Sequence, residues 1–145
     1  MDYERARRRA LLNRLLNVLT GRRNSLMSFH EAKSSGTCFG QFHLGMQEVP
    51  LSAIVGSIDR TRDFDRDFYP LTTHTRERWE RVNRAVSLDL LLPPVSLYKV
   101  GEVYFVKDGH HRISVARYRG MGYVDADVTE YRMPGKRLRV DGSGQ

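Results

Sequence analysis

Apolar residues recur at helical spacing in two stretches of the chain. In residues 3–19 leucines repeat every three or four positions, with arginines and asparagine on the other faces; they are Leu11, Leu12, Leu15 and Leu19. In residues 73–87, Trp79, Val82 and Val86 fall on one stripe. Apolar residues repeated at this period predict two amphipathic helices, and Trp79, Val82 and Val86 are expected to face the core.

Two runs of β-branched and aromatic residues predict a β-hairpin. Residues 95–100 and 103–106 are separated by Gly101-Glu102, and a glycine followed by one other residue between two such runs is typical of a type II′ turn. The alternation over residues 123–131 predicts a last strand, since side chains on a strand point alternately to its two faces.

The segment before the second helix is less regular. Residues 46–51 predict a strand and residues 51–55 a short turn of helix. Residues 56–69 are too polar and charge-alternating to predict an element. Three aspartates alternate within them, and we interpret these as charge-balanced surface; they are Asp63, Asp65 and Asp67.

These patterns together predict an α+β fold, in which helices pack on a small twisted mixed sheet preceded by a basic amphipathic helix. Residues 34–45 are rich in Gly and Ser, and the tail is rich in Gly, Ser and Lys/Arg. We therefore divide the chain into a basic helical N-terminal extension (residues 1–33), a linker (34–45), a compact domain (46–132) and a disordered tail (133–145).

Positive charge is concentrated at the N-terminus. The chain of 145 residues has a formal net charge of +7, and its first 23 residues hold seven arginines against Asp2 and Glu4. Such a segment suits contact with nucleic acid, polyphosphate or another anionic surface, and it also suits a solvated helix face. The candidate contacts with DNA or RNA are Arg5, Arg7, Arg8, Arg9 and Arg14.

Composition also bears on the compartment. No apolar run approaches the roughly 20 residues that a membrane-spanning helix needs. Arginines interrupt the N-terminal leucines, so the segment does not resemble a signal peptide. The lone Cys38 is compatible with a reducing interior. We expect a cytoplasmic protein without a membrane partner.

Between the hairpin and the next helical pattern lies the segment Asp108-Gly109-His110-His111-Arg112. A helix N-terminus leaves its first N–H groups without partners and carries a partial positive charge. A glycine before it lets a ligand approach the backbone, and an arginine in the first turn matches phosphate oxygens. The segment is therefore a candidate anion site. The alternative is a plain strand-to-helix turn in which Asp108 is the N-cap.

Residues 98–117 (YKVGEVYFVKDGHHRISVAR) resemble the core of the ParB/sulfiredoxin-like superfamily. In that superfamily a hairpin leads into a Gly-x-x-Arg turn that binds nucleotide phosphates, and Gly109 and Arg112 match this motif. Residues 49–55 resemble its first strand, and the arginine-bearing segment that follows is matched by Arg60 and Arg62. The resemblance extends over roughly residues 46–131 and implies a nucleotide-binding domain.

Differences between this sequence and the superfamily's motifs limit which of the superfamily's activities we expect. Sulfiredoxins carry a reactive cysteine where this chain has His110, so reduction of sulfinic acids is not expected. The superfamily's free-serine kinases use a glutamate after the first strand as catalytic base, and none follows Val55 here. A kinase activity would need Asp59 or Glu48 instead. Catalytic residues therefore stay unassigned. Two adjacent histidines on a helix point about 100° apart, so we expect no metal site of protein ligands.

Three hypotheses follow. The first is a nucleotide- or phosphate-binding module that associates with nucleic acid through its N-terminal helix. The second is an Mg²⁺-dependent hydrolase of nucleoside triphosphates or a small-molecule kinase, in which Asp108 helps to place Mg²⁺. The third is an interaction adaptor, in which the N-terminal leucines contact a protein partner or a second copy of the chain and the phosphate site is vestigial.

Overall fold

The computed structural model describes residues 2–30 and 40–132. Three helices are present in this part of the chain: α1 (Asp2–Thr20), α2 (Arg76–Ser87) and α3 (His110–Tyr118). Six strands accompany them, and a 3₁₀ turn (Leu51–Ala53) precedes the third; the strands are β1 (Met27–Ser28), β2 (Gly40–Pro50), β3 (Ile54–Ser57), β4 (Val95–Val100), β5 (Val103–Asp108) and β6 (Tyr123–Arg132).

The strands form one mixed sheet in the order β1-β3-β5-β4-β6-β2. β3 runs parallel to β1 and β5, β4 pairs antiparallel with β5 and parallel with β6, and β2 pairs antiparallel with β6. Helices pack on this sheet, so the predicted α+β class is confirmed. No helix in the described part of the chain is both long and apolar enough to cross a bilayer.

Helix α3 lies at the centre of the layers. Ile113 and Ala116 join the main core with sheet residues such as Leu97. From the other side of α3, Val115 packs with Tyr3 of α1 and Trp79 of α2. Because both sides are covered, six of the nine residues of α3 are buried, among them two histidines and a serine. This burial fixes the position of the helix N-terminus.

The predicted hairpin is present. β4 and β5 pair from Val100 opposite Val103, with Gly101-Glu102 as the turn. Gly101 has a φ of 61°, and Glu102 is not among the residues with positive φ, a combination that fits the expected type II′ turn. The last strand also lies where the alternation placed it.

The predicted linker is wrong from residue 40 onwards. β2 begins at Gly40, which pairs with Arg132 of β6, and continues to Pro50 opposite Tyr123. Gly45, with a φ of 78°, sits at a bulge in this ladder. Hydrogen bonding to a distant strand outweighs the low β propensity of glycine. Residues 34–39 and the predicted tail over residues 133–145 lie outside the described residues.

Helix α1 is present, but the face it turns to the protein is not the leucine stripe. Its buried residues are Tyr3, Ala6, Ala10 and Asn17. The small alanine side chains allow this face of the helix to approach the rest of the protein closely. The leucines lie on the opposite side and are 56–73% exposed; they are Leu11, Leu12, Leu15, Leu16 and Leu19. The predicted helix is present, and its leucine stripe is not the face that packs on the rest of the protein.

The segment without a predicted element, residues 56–69, contains the end of β3 and a buried loop. Phe64, Asp65 and Phe68 are all fully buried there, so interpreting Asp65 as surface is wrong. Asp65 Oδ1 accepts hydrogen bonds from the backbone N–H groups of Asp67 and Tyr69, both at 2.9 Å. The buried Oδ2 atom has no hydrogen-bond partner among the described residues. Burial raises the pKa of Asp65 to about 7.

Replacing Asp65 with Asn should flatten the pH dependence of stability. Because the folded-state pKa lies above the usual 3.8, the folded protein retains a proton that the unfolded chain has lost, and stability falls as pH rises from about 4 to about 7. Asparagine cannot ionise, so the unfolding free energy of the variant should not show this fall. The fall amounts to a few kcal/mol, because each unit of pKa difference contributes about 1.4 kcal/mol. Urea unfolding at several pH values measures the difference; parallel curves for the two proteins would contradict it.

Candidate functional site

The turn before α3 depends on Gly109. Its φ of 102° is one that residues with a side chain rarely adopt. A Cβ at this position would lie 2.6 Å from Cγ1 of Val95 on β4. The space that we expected a ligand to use is therefore filled by Val95. Glycine is required by the turn and by its packing on β4, not by ligand approach.

The N-terminus of α3 is not capped by a side chain. Gly109 is the N-cap residue and Asp108 makes no capping hydrogen bond, so the predicted alternative of an Asp108 N-cap is wrong. Within the described residues, the backbone N–H groups of His110, His111 and Arg112 donate to no acceptor. Three donors and the positive end of the helix dipole are thus available to an anion.

These groups lie in the wall of a cleft of ≈ 240 Å³. Three separate segments line it, contributing Asp59 and Arg60, then Arg78 and Val82, then the run from Lys107 to Arg112. Six of the seven predicted phosphate-site residues are therefore brought together; Arg62 is exposed and does not line the cleft. Sequence reasoning missed Arg78, because nothing local relates α2 to the turn, and it missed Lys107, which lies on β5 one residue before the segment that was singled out.

Two of the cleft's cations are unpaired. The guanidinium groups of Arg60 and Arg78 make neither a hydrogen bond nor an ion pair with any described residue. The Arg112 Nη1 atom donates to the carbonyl of Pro93 at 2.6 Å, which uses part of its donor capacity. The Lys107 ammonium lies 5.6 Å from the ring centroid of Tyr98. Arg60 and Arg78 are the cations best placed to take an external anion.

His110 is held by Ser57, a residue that the sequence did not single out. The buried Ser57 Oγ accepts hydrogen bonds from the backbone N–H groups of Asp59 (3.2 Å) and Arg60 (3.0 Å), and it lies 2.6 Å from His110 Nε2. The hydroxyl has two possible acceptors, the Val106 carbonyl at 3.5 Å and His110 Nε2 at 2.6 Å. Because its lone pairs are engaged and Nε2 is much nearer, we assign its proton to the bond with Nε2, which places the ring proton on Nδ1. Burial lowers the pKa of His110 to about 4, so the ring is neutral at pH 7.

His111 has a different environment. Its ring packs edge-on against Phe64 at 5.5 Å between centroids, and only 6% of the residue is exposed. The buried Nε2 atom has no hydrogen-bond partner among the described residues. Burial lowers the pKa of His111 to about 4. A neutral, unpartnered imidazole nitrogen in a polar cleft can donate to a ligand or accept from it.

The N-terminal arginines differ in their availability. Arg7 donates to the carbonyls of Leu71 and Pro70. Arg9 lies over the ring of Tyr118 at 5.3 Å and donates to its carbonyl. These two arginines attach α1 to the rest of the protein, which engages part of their donor capacity. Arg5, Arg8 and Arg14 are exposed without such contacts to described residues, Arg9 is exposed as well, and none of the predicted nucleic-acid contacts lines the cleft.

Among residues 2–30 and 40–132, no three His, Cys, Asp or Glu side chains are close enough to hold a metal ion. Asp59 is the acid nearest to the histidines, with Oδ1 3.8 Å from His110 Nε2. Glu48, the other acid considered as a substitute base, lines a separate pocket with Asp125. Cys38 lies outside the described residues.

Both cleft histidines should stay neutral well below pH 6.5. Burial disfavours the imidazolium, so proton uptake should wait until about pH 4, and His110 should carry its proton on Nδ1. Two-bond ¹H–¹⁵N NMR spectra from pH 7.5 to 4 report both features. Ser57→Ala should alter the tautomer of His110 and spare His111. Titration of either ring near pH 6.5 would overturn the assignment.

Comparisons with known proteins give little beyond the fold. No family model matches the chain, and no curated protein does. Among solved structures, the sulfiredoxin from Arabidopsis thaliana superposes with a TM-score of 0.46 at 18% sequence identity. The match covers 60% of this chain and 86% of that one. The likeness is one of fold.

Proposed function

We propose that the cleft at the N-terminus of α3 binds the phosphate group of a nucleotide-type ligand. The observation that carries the proposal is the convergence of two unpaired guanidiniums, Arg60 and Arg78, on three free backbone N–H groups. Charged donors and an uncapped helix N-terminus are the groups that proteins use for phosphate. The domain then serves as a phosphate-binding module.

The histidines suit the same ligand. Four cationic side chains line the cleft against the two carboxylates of Asp59 and Asp108, so an anion meets a net positive charge. Neutral His111 can add a hydrogen bond through its unpartnered Nε2. A buried polar atom without a partner is costly, and a bound phosphate oxygen would satisfy it.

Arg60→Ala and Arg78→Ala should each weaken nucleotide binding. A hydrogen bond to a charged group contributes about 1.5–3 kcal/mol, so each loss should raise Kd roughly tenfold to a hundredfold. Arg62→Ala is the matched control, because Arg62 is exposed outside the cleft on the same loop. Calorimetric titration with ATP and with inorganic phosphate measures the effect. Equal losses in all three variants would show general charge attraction without a site.

A second candidate function is phosphoryl transfer, and the position of Asp59 favours it. Its side chain is 62% exposed, lines the cleft and is held beside His110. A carboxylate in that position can accept a proton from a hydroxyl that attacks a bound phosphate. Asp59 and Asp108 could hold Mg²⁺ together with a triphosphate, since Mg²⁺ commonly takes one or two carboxylates plus phosphate oxygens. Bound Mg²⁺ supplies charge neutralisation.

Asp59→Asn separates the two functions. The variant keeps the shape of the side chain and loses its basicity, so nucleotide binding should persist. If Asp59 is a general base, phosphate release from ATP with Mg²⁺ should fall by roughly 10²–10⁴-fold. A parent protein that binds ATP and shows no release, with or without small hydroxylated acceptors, would exclude catalysis and leave the binding module intact.

A further inference from the structure

The cleft is too small to enclose a whole nucleotide. Its volume of ≈ 240 Å³ lies below the roughly 300–1,000 Å³ of pockets that bury complete small ligands. No Phe, Tyr or Trp is among the described residues that line it, so it has none of the large aromatic rings that commonly stack on a base. The site is fitted to a phosphate and its immediate surroundings, and the rest of the ligand must lie outside.

A row of arginines leads away from the cleft along α2. Arg78 lines the cleft, and Arg81 and Arg84 follow at intervals of three residues, each about 4.5 Å further along the helix axis and about 60° further around it, so that the row runs obliquely over the helix. All three are exposed. Among the described residues, the guanidiniums of Arg81 and Arg84 make neither a hydrogen bond nor an ion pair. Long cationic side chains at this spacing suit successive phosphates of one strand.

We propose that the cleft receives the terminal phosphate of a single-stranded nucleic acid, whose following phosphates run along Arg81 and Arg84. The inference rests on the proposed phosphate site and names its ligand class. Because the cations form a single row on one helix, they suit the phosphate backbone of one nucleic-acid strand. Because the contacts are to phosphate, the protein should bind strands of different sequence about equally.

Two neighbouring residues of α2, Arg76 and Glu77, help to test the role of this row of arginines. Arg76 is engaged with Glu80 at 3.3 Å and with Glu4 at 3.7 Å, so it is not part of the row. Glu77 is exposed on the same helix and adds a negative charge near the proposed path. Glu77→Gln should therefore strengthen strand binding, whereas each arginine removed should weaken it.

The test is fluorescence anisotropy with a labelled oligonucleotide of about ten nucleotides, carrying a 5′-phosphate, a 3′-phosphate or neither, at several salt concentrations. AMP and ATP, titrated separately, report the cleft alone. One terminally phosphorylated form should bind more tightly than the unphosphorylated strand and than AMP. Arg81→Ala/Arg84→Ala should lower the slope of log K against log salt by about 1.4, since each single-strand phosphate contact contributes about 0.7. Binding of AMP should be unchanged in this double variant.

The control is a variant in which the exposed α1 arginines, Arg5, Arg8 and Arg14, are replaced by Ala; it should leave the salt slope nearly unchanged. If that variant lowers the slope and the α2 variant does not, the proposed path is wrong. If AMP binds and terminal phosphorylation adds nothing, the strand-end inference fails while the phosphate site stands. If neither AMP, ATP nor any strand binds, the proposed function itself fails. Circular dichroism confirms that the exposed substitutions leave the fold intact.

Discussion

The hydrogen bond between Ser57 and His110 is the contact on which the geometry of the cleft depends. It joins the end of β3 to the first residue of α3 at 2.6 Å, in a place where neither group meets water. The same Ser57 oxygen accepts hydrogen bonds from the backbone N–H groups of Asp59 and Arg60, so the loop after β3 is bent over the N-terminus of α3. This bond ties the loop that carries Arg60 to the helix end that carries the free N–H groups of α3.

A second polar contact orients the opposite wall. Trp79 of α2 donates from Nε1 to the buried Ser114 Oγ of α3 at 2.8 Å. Burying a large indole with its N–H satisfied fixes the rotation of α2 about its own axis. Arg78, one residue before Trp79, consequently lies at the edge of the cleft. Each wall thus depends on one buried serine hydroxyl that contacts or belongs to α3: Ser57 lies at the end of β3, and Ser114 lies on α3 itself.

Burial of α3 also sets the chemistry of the site. A helix covered by the sheet on one side and by α1 and α2 on the other keeps its histidines out of water, which favours their neutral forms. The positive charge of the cleft then comes from arginine and lysine, which remain charged across the physiological pH range. The protein's own contribution to the charge of the cleft should accordingly change little with pH above about 5, and its attraction for an anion should fall with ionic strength.

Features encoded within a few residues were predicted from the sequence. The hairpin, its Gly101-Glu102 turn, α2 and the strand-to-helix turn at Gly109 follow from alternation, helical periodicity and glycine, all of which act locally. Most of the candidate phosphate-site residues could be named for the same reason, since five of them are consecutive.

Features that join distant segments were decided by the tertiary structure. Gly40 lies in a strand because β6 is there to pair with it, and the loop around Asp65 is buried because Phe64 and Phe68 pack into the main core with residues of the sheet. Arg78 reaches the cleft because Trp79 packs against α3, and the leucines of α1 face outward because alanines permit closer packing on the opposite side. The sequence by itself determined α1, α2, the β4–β5 hairpin, β6 and the turn at Gly109, since local periodicity expresses backbone preference. Only the folded chain decided which face of each is buried and which charges converge, because those depend on contacts between residues far apart in sequence.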